Sequence, residues 1–210
     1  METFNVSSLA RPLSRTEQYV TRSYTILAIS GSLRARSSNT EILRAVAAVA
    51  PPNVTVTLYD GLAELPHFNP DLDQPGAIAP ETVTRLRALV GAADAVLISS
   101  PEYAHGVPGS LKNALDWLVS GSEIPYKPVG LLNVSSRSKH AHASLDETLR
   151  TMSTVLVPDA SITVPLDGRR LSADAIAAAS EFADPLRAVV RALIRAVDIS
   201  GRPAWEVGVS

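Results

Sequence analysis

The chain has 210 residues and a mass of 22.2 kDa, which fits one domain of ordinary size. Apolar residues make up 46% of it and charged residues 19%, so it has enough apolar surface for a core. The 19 Lys and Arg residues nearly balance the 21 Asp and Glu residues. The resulting net charge of −2 excludes a nucleic-acid binder that depends on bulk positive charge.

The sequence contains no cysteine, which excludes a disulfide framework, a thiolate nucleophile, a cysteine-based zinc site and an iron–sulfur centre. A chain without cysteine fits a reducing cytoplasm, and we expect a cytoplasmic protein. No apolar run approaches the roughly 18 residues that a membrane span needs. We therefore expect neither nucleic acid nor a membrane among its partners.

The composition along the chain predicts one folded domain with two flanking segments. Residues 1–23 are rich in Ser, Arg and Thr and show no sustained periodicity, so we expect a flexible N-terminal extension. Residues 24–200 alternate between strand-like and helix-like patterns and form the expected domain. Residues 201–210 are expected to form a C-terminal tail.

Short apolar runs alternate with segments of helical periodicity. Five runs predict strands, at residues 25–30, 54–58, 95–99, 129–134 and 161–166. Helices are predicted at residues 40–50, 80–90, 108–119, around 145–152 and at 172–199. Apolar strands separated by helices indicate a flavodoxin-like, doubly wound α/β fold. We expect five parallel strands in the order 2-1-3-4-5, with helices on both faces of the sheet.

Two helix starts have local signals. Ser38 and Glu41 match the S-x-x-E capping box, which predicts the start of the first helix. In the last helical segment, Pro185 predicts a break, and Asp184 is the expected cap of the helix that follows it.

Three unusual segments follow the first, third and fourth predicted strands. We call them the first loop (residues 31–39, GSLRARSSN), the second loop (residues 101–109, PEYAHGVPG) and the third loop (residues 135–143, SSRSKHAHA). Ligands of such sheets bind beyond the carboxyl ends of the strands, where the strand order reverses. We therefore expect the three loops to lie side by side and to form one site.

The first loop has the chemistry of a phosphate cradle. Gly31 allows a sharp turn off the strand, and the N-terminus of the next helix offers free N–H groups. Hydroxyl, amide and guanidinium donors are supplied by Ser32, Arg34, Ser37, Ser38 and Asn39. The alternative is that Ser38 only caps the helix and the other serines are solvated. The segment matches neither the Walker A loop nor the G-x-G-x-x-G fingerprint.

The second loop offers a flat surface rather than charge. Tyr103 follows a strand end and can lie near a planar aromatic ligand, to which Pro101 and Glu102 would present main-chain groups. The alternatives are that Tyr103 is an ordinary aromatic of the rim and that Glu102 is a solvated or capping carboxylate. We interpret His105 as a loop residue rather than a proton donor.

The third loop carries four basic or titratable side chains within six residues, namely Arg137, Lys139, His140 and His142. We interpret them as a rim that attracts a negatively charged reactant, with a solvated loop as the alternative. Two histidines one residue apart, without cysteine, make a poor ligand set, so we predict no metal site.

The sequence has no G-x-S-x-G nucleophile elbow and no convincing Ser–His–Asp arrangement. This favours a site in which a bound cofactor does the reaction, and we assign no catalytic residue.

The first loop, taken together with PEYAHGVPGSLKNALDW after the third strand, resembles the NAD(P)H-dependent FMN reductase family. This flavodoxin-like group includes quinone, azo-dye and chromate reductases, and the resemblance covers roughly residues 24–166. It implies a homodimer or tetramer that holds one FMN per subunit in the domain at 24–200. Many members have Asn in place of Ala104 and a Gly-rich turn where the third loop has Arg, Ser, Lys and His.

The resemblance also implies which residues bind FMN. The phosphate would be bound by Ser32, Arg34, Ser37, Ser38 and Asn39. The isoalloxazine would contact Pro101, Glu102, Tyr103 and Ala104, with Ser135 and Ser136 at its other side.

The function that the resemblance implies has two steps. NADPH or NADH transfers a hydride to bound FMN, and the electrons then pass to a small-molecule acceptor such as a quinone, free flavin, azo compound or metal oxyanion. A flavodoxin-like electron carrier and a non-catalytic flavin-binding regulator remain alternatives. The net charge of −2 gives little sign of the acidic docking face of a carrier.

Overall fold

The computed structural model describes residues 22–74, 76–166 and 168–200. Most of the expected extension and all of the expected tail, residues 1–21 and 201–210, lie outside the described residues. At the start of the described part, the Arg22 guanidinium donates to the Asp198 carboxylate at 2.9 Å. This ion pair connects the entry to the first strand with the last helix.

The described residues form one sheet of six parallel strands. These are β1 (Tyr24–Ser30), β2 (Val54–Leu58), β3 (Ala95–Ser99), β4 (Pro128–Asn133), β5 (Val155–Leu156) and β6 (Ile162–Thr163). Neighbouring strands follow the order β2-β1-β3-β4-β5, and β6 pairs with β4 as well. The predicted order 2-1-3-4-5 is thus confirmed. The fifth position, beside β4, is occupied by β5 and β6 together.

Six α-helices connect and cover these strands in the described part of the chain. They are α1 (Ser38–Val49), α2 (Glu81–Ala92), α3 (Gly109–Asp116), α4 (His140–Thr151), α5 (Ala173–Ala178) and α6 (Ser180–Ser200). Two short 3₁₀ turns occur at Pro70–Leu72 and Pro158–Ala160. No helix among them is both long enough and apolar enough to pass through a membrane.

Helices on both faces bury the sheet, as predicted. Successive residues of a strand point to opposite faces, so Ile26 packs in one apolar layer and Leu27 in the other. The first layer contains α1, α5 and α6, and the second contains α2, α3 and α4. A sheet that is apolar on both faces needs this double cover.

The outermost strand next to β4 differs from the single strand predicted at 161–166. β5 pairs with the start of β4 and β6 pairs with its end. The turn at Pro158–Ala160 separates β5 from β6. Gly130 of β4 makes room for this turn, because a Cβ there would lie 2.8 Å from the Ala160 carbonyl oxygen. The prediction of one unbroken fifth strand was therefore wrong, and its place is taken by two short segments.

The last helical segment breaks at a different place from the one predicted. Ala179 has an extended backbone and separates α5 from α6, whereas Pro185 lies inside α6. Eight buried side chains along α6 favour one continuous helix, and this burial outweighs the hydrogen bond that proline cannot make. Asp184 does not cap a helix, because its carboxylate pairs with Arg187 at 2.8 Å.

Candidate functional site

The first and second loops meet because β1 and β3 are neighbours in the sheet. The Gly31 N–H donates to the Ser99 carbonyl at 2.8 Å, and the Ser99 hydroxyl donates to the buried Asn39 amide oxygen at 2.9 Å. A Cβ at Gly31 would lie 2.6 Å from the Ser100 Oγ. Close approach of the two loops therefore requires glycine at this position.

The second and third loops meet through two contacts. The Glu102 carboxylate accepts a hydrogen bond from the Ala141 N–H at 2.9 Å. The rings of His105 and His140 stack with their centroids 4.3 Å apart and an angle of 23° between their planes. All three loops thus come together at the carboxyl end of the sheet, where the strand order reverses.

The start of α1 lies one residue earlier than the predicted capping box implies. Ser37 is the N-cap, and its Oγ accepts from the Thr40 N–H at 3.4 Å, while Ser38 is already helical. The Glu41 carboxylate accepts from the Ala173 N–H at 2.8 Å and from the Arg44 guanidinium at 2.6 Å. The S-x-x-E prediction was therefore wrong, because Ser37 and not Ser38 is the N-cap.

The first loop presents more hydrogen-bond donors than its own structure consumes. Ser32, Ser37 and Asn39 are buried although they are polar. The N–H groups of residues 35–37 find no acceptor among the described residues. Arg34 is exposed and forms no ion pair with any carboxylate in the described ranges. A donor-rich loop with a spare guanidinium beside a helix N-terminus fits the chemistry of a phosphate group.

The second loop is a tight hairpin. Tyr103 and Gly106 exchange N–H to carbonyl hydrogen bonds of 3.1 and 2.9 Å, and the two residues between them have positive φ, 48° for Ala104 and 60° for His105. This geometry is that of a type I′ turn, which favours Asn and Gly. The turn is strained at these two residues, and the Tyr103 side chain beside them is 51% exposed.

Glu102 acts as a capping carboxylate, which is one of the alternatives that the sequence left open. Its carboxylate bonds the first turn of α4, whose own N-cap residue, Lys139, makes no side-chain cap. One oxygen of the Glu102 carboxylate is therefore engaged within the fold rather than with a ligand. Pro101 beside it is half-buried and lies two residues after the end of β3.

The third loop is organised by a residue that the sequence reasoning missed. The Asn133 side chain accepts from the Ser135 N–H at 3.0 Å and donates to the Ser138 carbonyl at 3.1 Å. The Ser135 hydroxyl accepts from the Arg137 N–H at 3.3 Å, and Ser136 is exposed. A buried polar residue that ends an apolar strand was the signal available for Asn133, as it was for Ser99.

The basic side chains of the third loop are open to solvent. Arg137, Lys139 and His140 are exposed, and neither of the first two pairs with a carboxylate in the part of the chain that the structure describes. Only His142 is half-buried, beneath the rim. The described residues contain no group of three or more His, Cys, Asp and Glu side chains arranged to hold a metal ion.

Comparison with known proteins gives one match to a family model and several relatives. The family model described as NADPH-dependent FMN reductase matches residues 24–168. A NAD(P)H-dependent FMN reductase of Pseudomonas aeruginosa is 38% identical over 113 residues, which are 53% of this chain and 60% of that protein. A quinone reductase of Escherichia coli K12 is 36% identical over 104 residues, which are 50% of this chain and 53% of that protein. The match thus spans little more than half the length of either relative.

Several solved structures cover most of this chain, and one of them is a flavoenzyme. It is the flavoenzyme NAD(P)H:(acceptor) oxidoreductase FerB of Paracoccus denitrificans, with a TM-score of 0.69 and 29% sequence identity. The similarity covers 85% of this chain and 99% of FerB.

Proposed function

This chain belongs to the NADPH-dependent FMN reductase family, and from that premise we propose that it binds FMN and passes electrons from NADPH or NADH to a small-molecule acceptor. The observation that carries the proposal is the meeting of the donor-rich first loop with the strained turn that exposes Tyr103. One part of the site suits a phosphate and the other a flat ring, and FMN has both.

The first loop would bind the phosphate end of FMN. Its hydroxyl, amide and guanidinium donors are those of Ser32, Arg34, Ser37, Ser38 and Asn39. A phosphate carries up to two negative charges. Arg34, which has no carboxylate partner among the described residues, and the N-terminus of α1 would balance them. The buried serines would replace the water around the phosphate with fixed donors.

The second and third loops would hold the isoalloxazine ring. Main-chain groups of Pro101, Glu102, Tyr103 and Ala104 would face the ring, with Ser135 and Ser136 beyond it. When bound, FMN supplies the acceptance of a hydride and the onward release of electrons. The protein then contributes proximity and orientation, so we assign no catalytic residue to an acid or base role.

The acceptor that we propose is a small molecule of the kinds that related proteins are named for, a quinone or an azo compound, with free flavin and metal oxyanions as further candidates.

We also propose a homodimer or tetramer that works in the cytoplasm. Val119 and Tyr126 are 61% and 66% exposed and offer apolar surface for self-association. Light scattering of the purified protein measures the number of subunits.

The visible spectrum tests the proposal directly. The purified protein, as isolated or after addition of FMN, should show flavin absorption bands that NADPH or NADH bleaches under anaerobic conditions. Steady-state oxidation of NADPH with a quinone should then follow. A protein that stays colourless after FMN is added contradicts the cofactor. A protein that binds FMN but is reduced by neither dinucleotide is an electron carrier or a regulator instead.

Arg34 gives a test at residue level. Arg34→Ala should weaken FMN binding by about 1.5–3 kcal/mol, the range for a hydrogen bond to a charged group. Riboflavin lacks the phosphate, so its affinity should not change. Arg187→Ala is the control, because Arg187 is an exposed arginine that pairs with Asp184 on α6. Unchanged FMN affinity in Arg34→Ala would assign Arg34 to the solvent-exposed rim.

A further inference from the structure

A cavity of about 290 Å³ lies beside the first loop, between the start of α1 and the segment at residues 170–172. Its volume is close to the lower limit for pockets that take small ligands. Its polar wall consists of Arg36, Ser37, Ser38, Glu41, Arg170 and Ser172. The family match ends at residue 168, so Arg170 lies beyond the part of the chain that the match covers.

Two guanidinium groups of this wall are unpaired. Arg36 and Arg170 are exposed, and neither forms an ion pair with a carboxylate within residues 22–74, 76–166 and 168–200. The neighbouring Arg169 differs, because it pairs with Glu181 at 3.3 Å and lies over the Phe182 ring. Arg169 thus contacts α6, whereas Arg170 lines the cavity.

Glu41 is the one carboxylate among the described lining residues, and its charge is already engaged. One oxygen accepts from the Arg44 guanidinium at 2.6 Å, and the other accepts from the Ala173 N–H at 2.8 Å. The wall of the cavity is therefore net positive, with two unpaired guanidinium groups and one neutralised carboxylate.

The serines of the wall add hydrogen-bond donors. The Ser37 and Ser172 hydroxyl oxygens accept from the N–H groups of Thr40 and Ala175, at 3.4 and 3.3 Å. A hydroxyl that accepts in this way still has its own hydrogen to donate. Hydroxyl donors and positive charge favour an anion, and planar guanidinium groups suit the oxygens of a phosphate.

We propose that Arg36 and Arg170 bind the phosphate group of a nucleotide in this cavity. The inference rests on the proposed function, which supplies two sources of such a group. One source is the phosphate of FMN, because Ser37 and Ser38 belong to both the first loop and the cavity wall. The other is a phosphate of the reduced dinucleotide. The chemistry of recognition is the same for both, and binding experiments separate them.

The test compares Arg36→Ala and Arg170→Ala with Arg191→Ala. Arg191 is an exposed arginine of α6 that also lacks a carboxylate partner in the described residues but does not line the cavity. The apoprotein is titrated with FMN and riboflavin. The flavin-loaded protein is titrated by calorimetry with adenosine 2′,5′-bisphosphate and with ADP, which carry the phosphates of the dinucleotides and undergo no redox reaction.

We expect each cavity variant to weaken binding of one phosphate source by about tenfold or more, and the Arg191 control to change nothing. Weaker FMN binding with unchanged riboflavin binding assigns the cavity to the FMN phosphate. Weaker binding of an adenosine probe with unchanged FMN binding assigns the cavity to the dinucleotide. Weaker binding of adenosine 2′,5′-bisphosphate alone indicates the 2′-phosphate, and weaker binding of ADP alone indicates the diphosphate. Equal weakening of FMN and riboflavin, or no change with any probe, overturns the proposal.

A readout without flavin separates this inference from the proposed function. Inorganic phosphate should raise the midpoint of thermal unfolding of the apoprotein, because a ligand that binds only the folded state stabilises it. The rise should be smaller in both cavity variants than in Arg191→Ala. If the wild type binds no flavin but shows this difference, the proposed function fails and the cavity remains a phosphate-binding site. An equal response in all variants, or no response in the wild type, overturns the assignment.

Discussion

Glu102 and Ala141 connect two loops of the site through a single hydrogen bond, 2.9 Å long, from the Ala141 N–H to the Glu102 carboxylate. Ala141 lies in the first turn of α4, where N–H groups have no acceptor within the helix. The bond therefore stabilises the start of the helix and fixes the second loop against the third. A negative charge at this end also interacts favourably with the helix dipole.

Removal of this cap should destabilise the fold. Glu102→Ala should lower the free energy of unfolding by about 1 kcal/mol, the usual loss when a cap is removed. Urea unfolding measures it. Glu147→Ala is the matched control, since Glu147 is an exposed glutamate of the same helix whose side chain has no hydrogen bond in the described part of the chain. Equal stability of the two variants would show that the Glu102 bond contributes nothing.

The turn at Ala104 should gain stability from a residue that accepts positive φ. A left-handed backbone costs an L-residue about 1–2 kcal/mol, and glycine avoids this cost. Glycine loses more conformational entropy on folding, which opposes the gain by about 0.5–1 kcal/mol. Ala104→Gly should therefore raise the free energy of unfolding by about 0.5–1 kcal/mol. The same exchange at Ala88, exposed within α2, should lower it by about 1 kcal/mol. A loss of stability at both positions would show that the Ala104 backbone is not strained.

Gly31 should not tolerate a side chain. A Cβ there would lie 2.6 Å from the Ser100 Oγ and 3.0 Å from a methyl group of the buried Leu111. Gly31→Ala should cost about 1–3 kcal/mol, as overpacking does. At Gly109, the first residue of α3, a Cβ would meet nothing within 4 Å, so Gly109→Ala should be neutral or stabilising. Denaturant unfolding compares the two, and equal costs would contradict the packing argument.

Asp73 gives a prediction about pH. Its side chain is 7% exposed, and its carboxylate accepts hydrogen bonds from Ser120 and, at 2.7 Å, from Arg87. Burial alone raises the pKa of Asp73, but the hydrogen bonds from Ser120 and Arg87 and the charge of Arg87 outweigh it. The pKa of Asp73 therefore lies below its ordinary value of 3.8.

The unfolded chain therefore binds a proton at Asp73 at higher pH than the folded protein does. The resulting stability is fully present above about pH 4 and is lost as the pH falls through the lower pKa of the folded state. Asp73→Asn should cost about 1.5–3 kcal/mol at pH 7, and the difference from wild type should shrink below about pH 4. Asp60→Asn serves as control, because Asp60 is 75% exposed in its pair with Arg85. A difference that does not change between pH 7 and pH 3 would contradict the assignment.

The order of the strands could be predicted because their apolar runs and turn residues are local signals. The outer strand could not, because the runs at Val155–Leu156 and Ile162–Thr163 are too short to show a period. The turn between them depends on Gly130, which lies about 30 residues away in the chain. The break predicted at Pro185 was wrong for the same reason. The rule that proline ends a helix is local, whereas burial along the whole of α6 favours one continuous helix.

In the site, the loops could be predicted and most of their internal contacts could not. The motifs identify which loops matter, because strand ends of a parallel sheet meet at one edge. The motif assigns Glu41 to the cap of α1, but its carboxylate bonds the N–H of Ala173, 132 residues later. Arg170 belongs to no motif, and only the folded chain places it beside Arg36.

The interrupted strand beside β4 also affects how the protein behaves at high concentration. Two pairs of residues separated by a proline-containing turn present few consecutive free backbone groups along that margin of the sheet. A second molecule finds no long template there for intermolecular β-pairing, which is how many natural sheets avoid amyloid-like association.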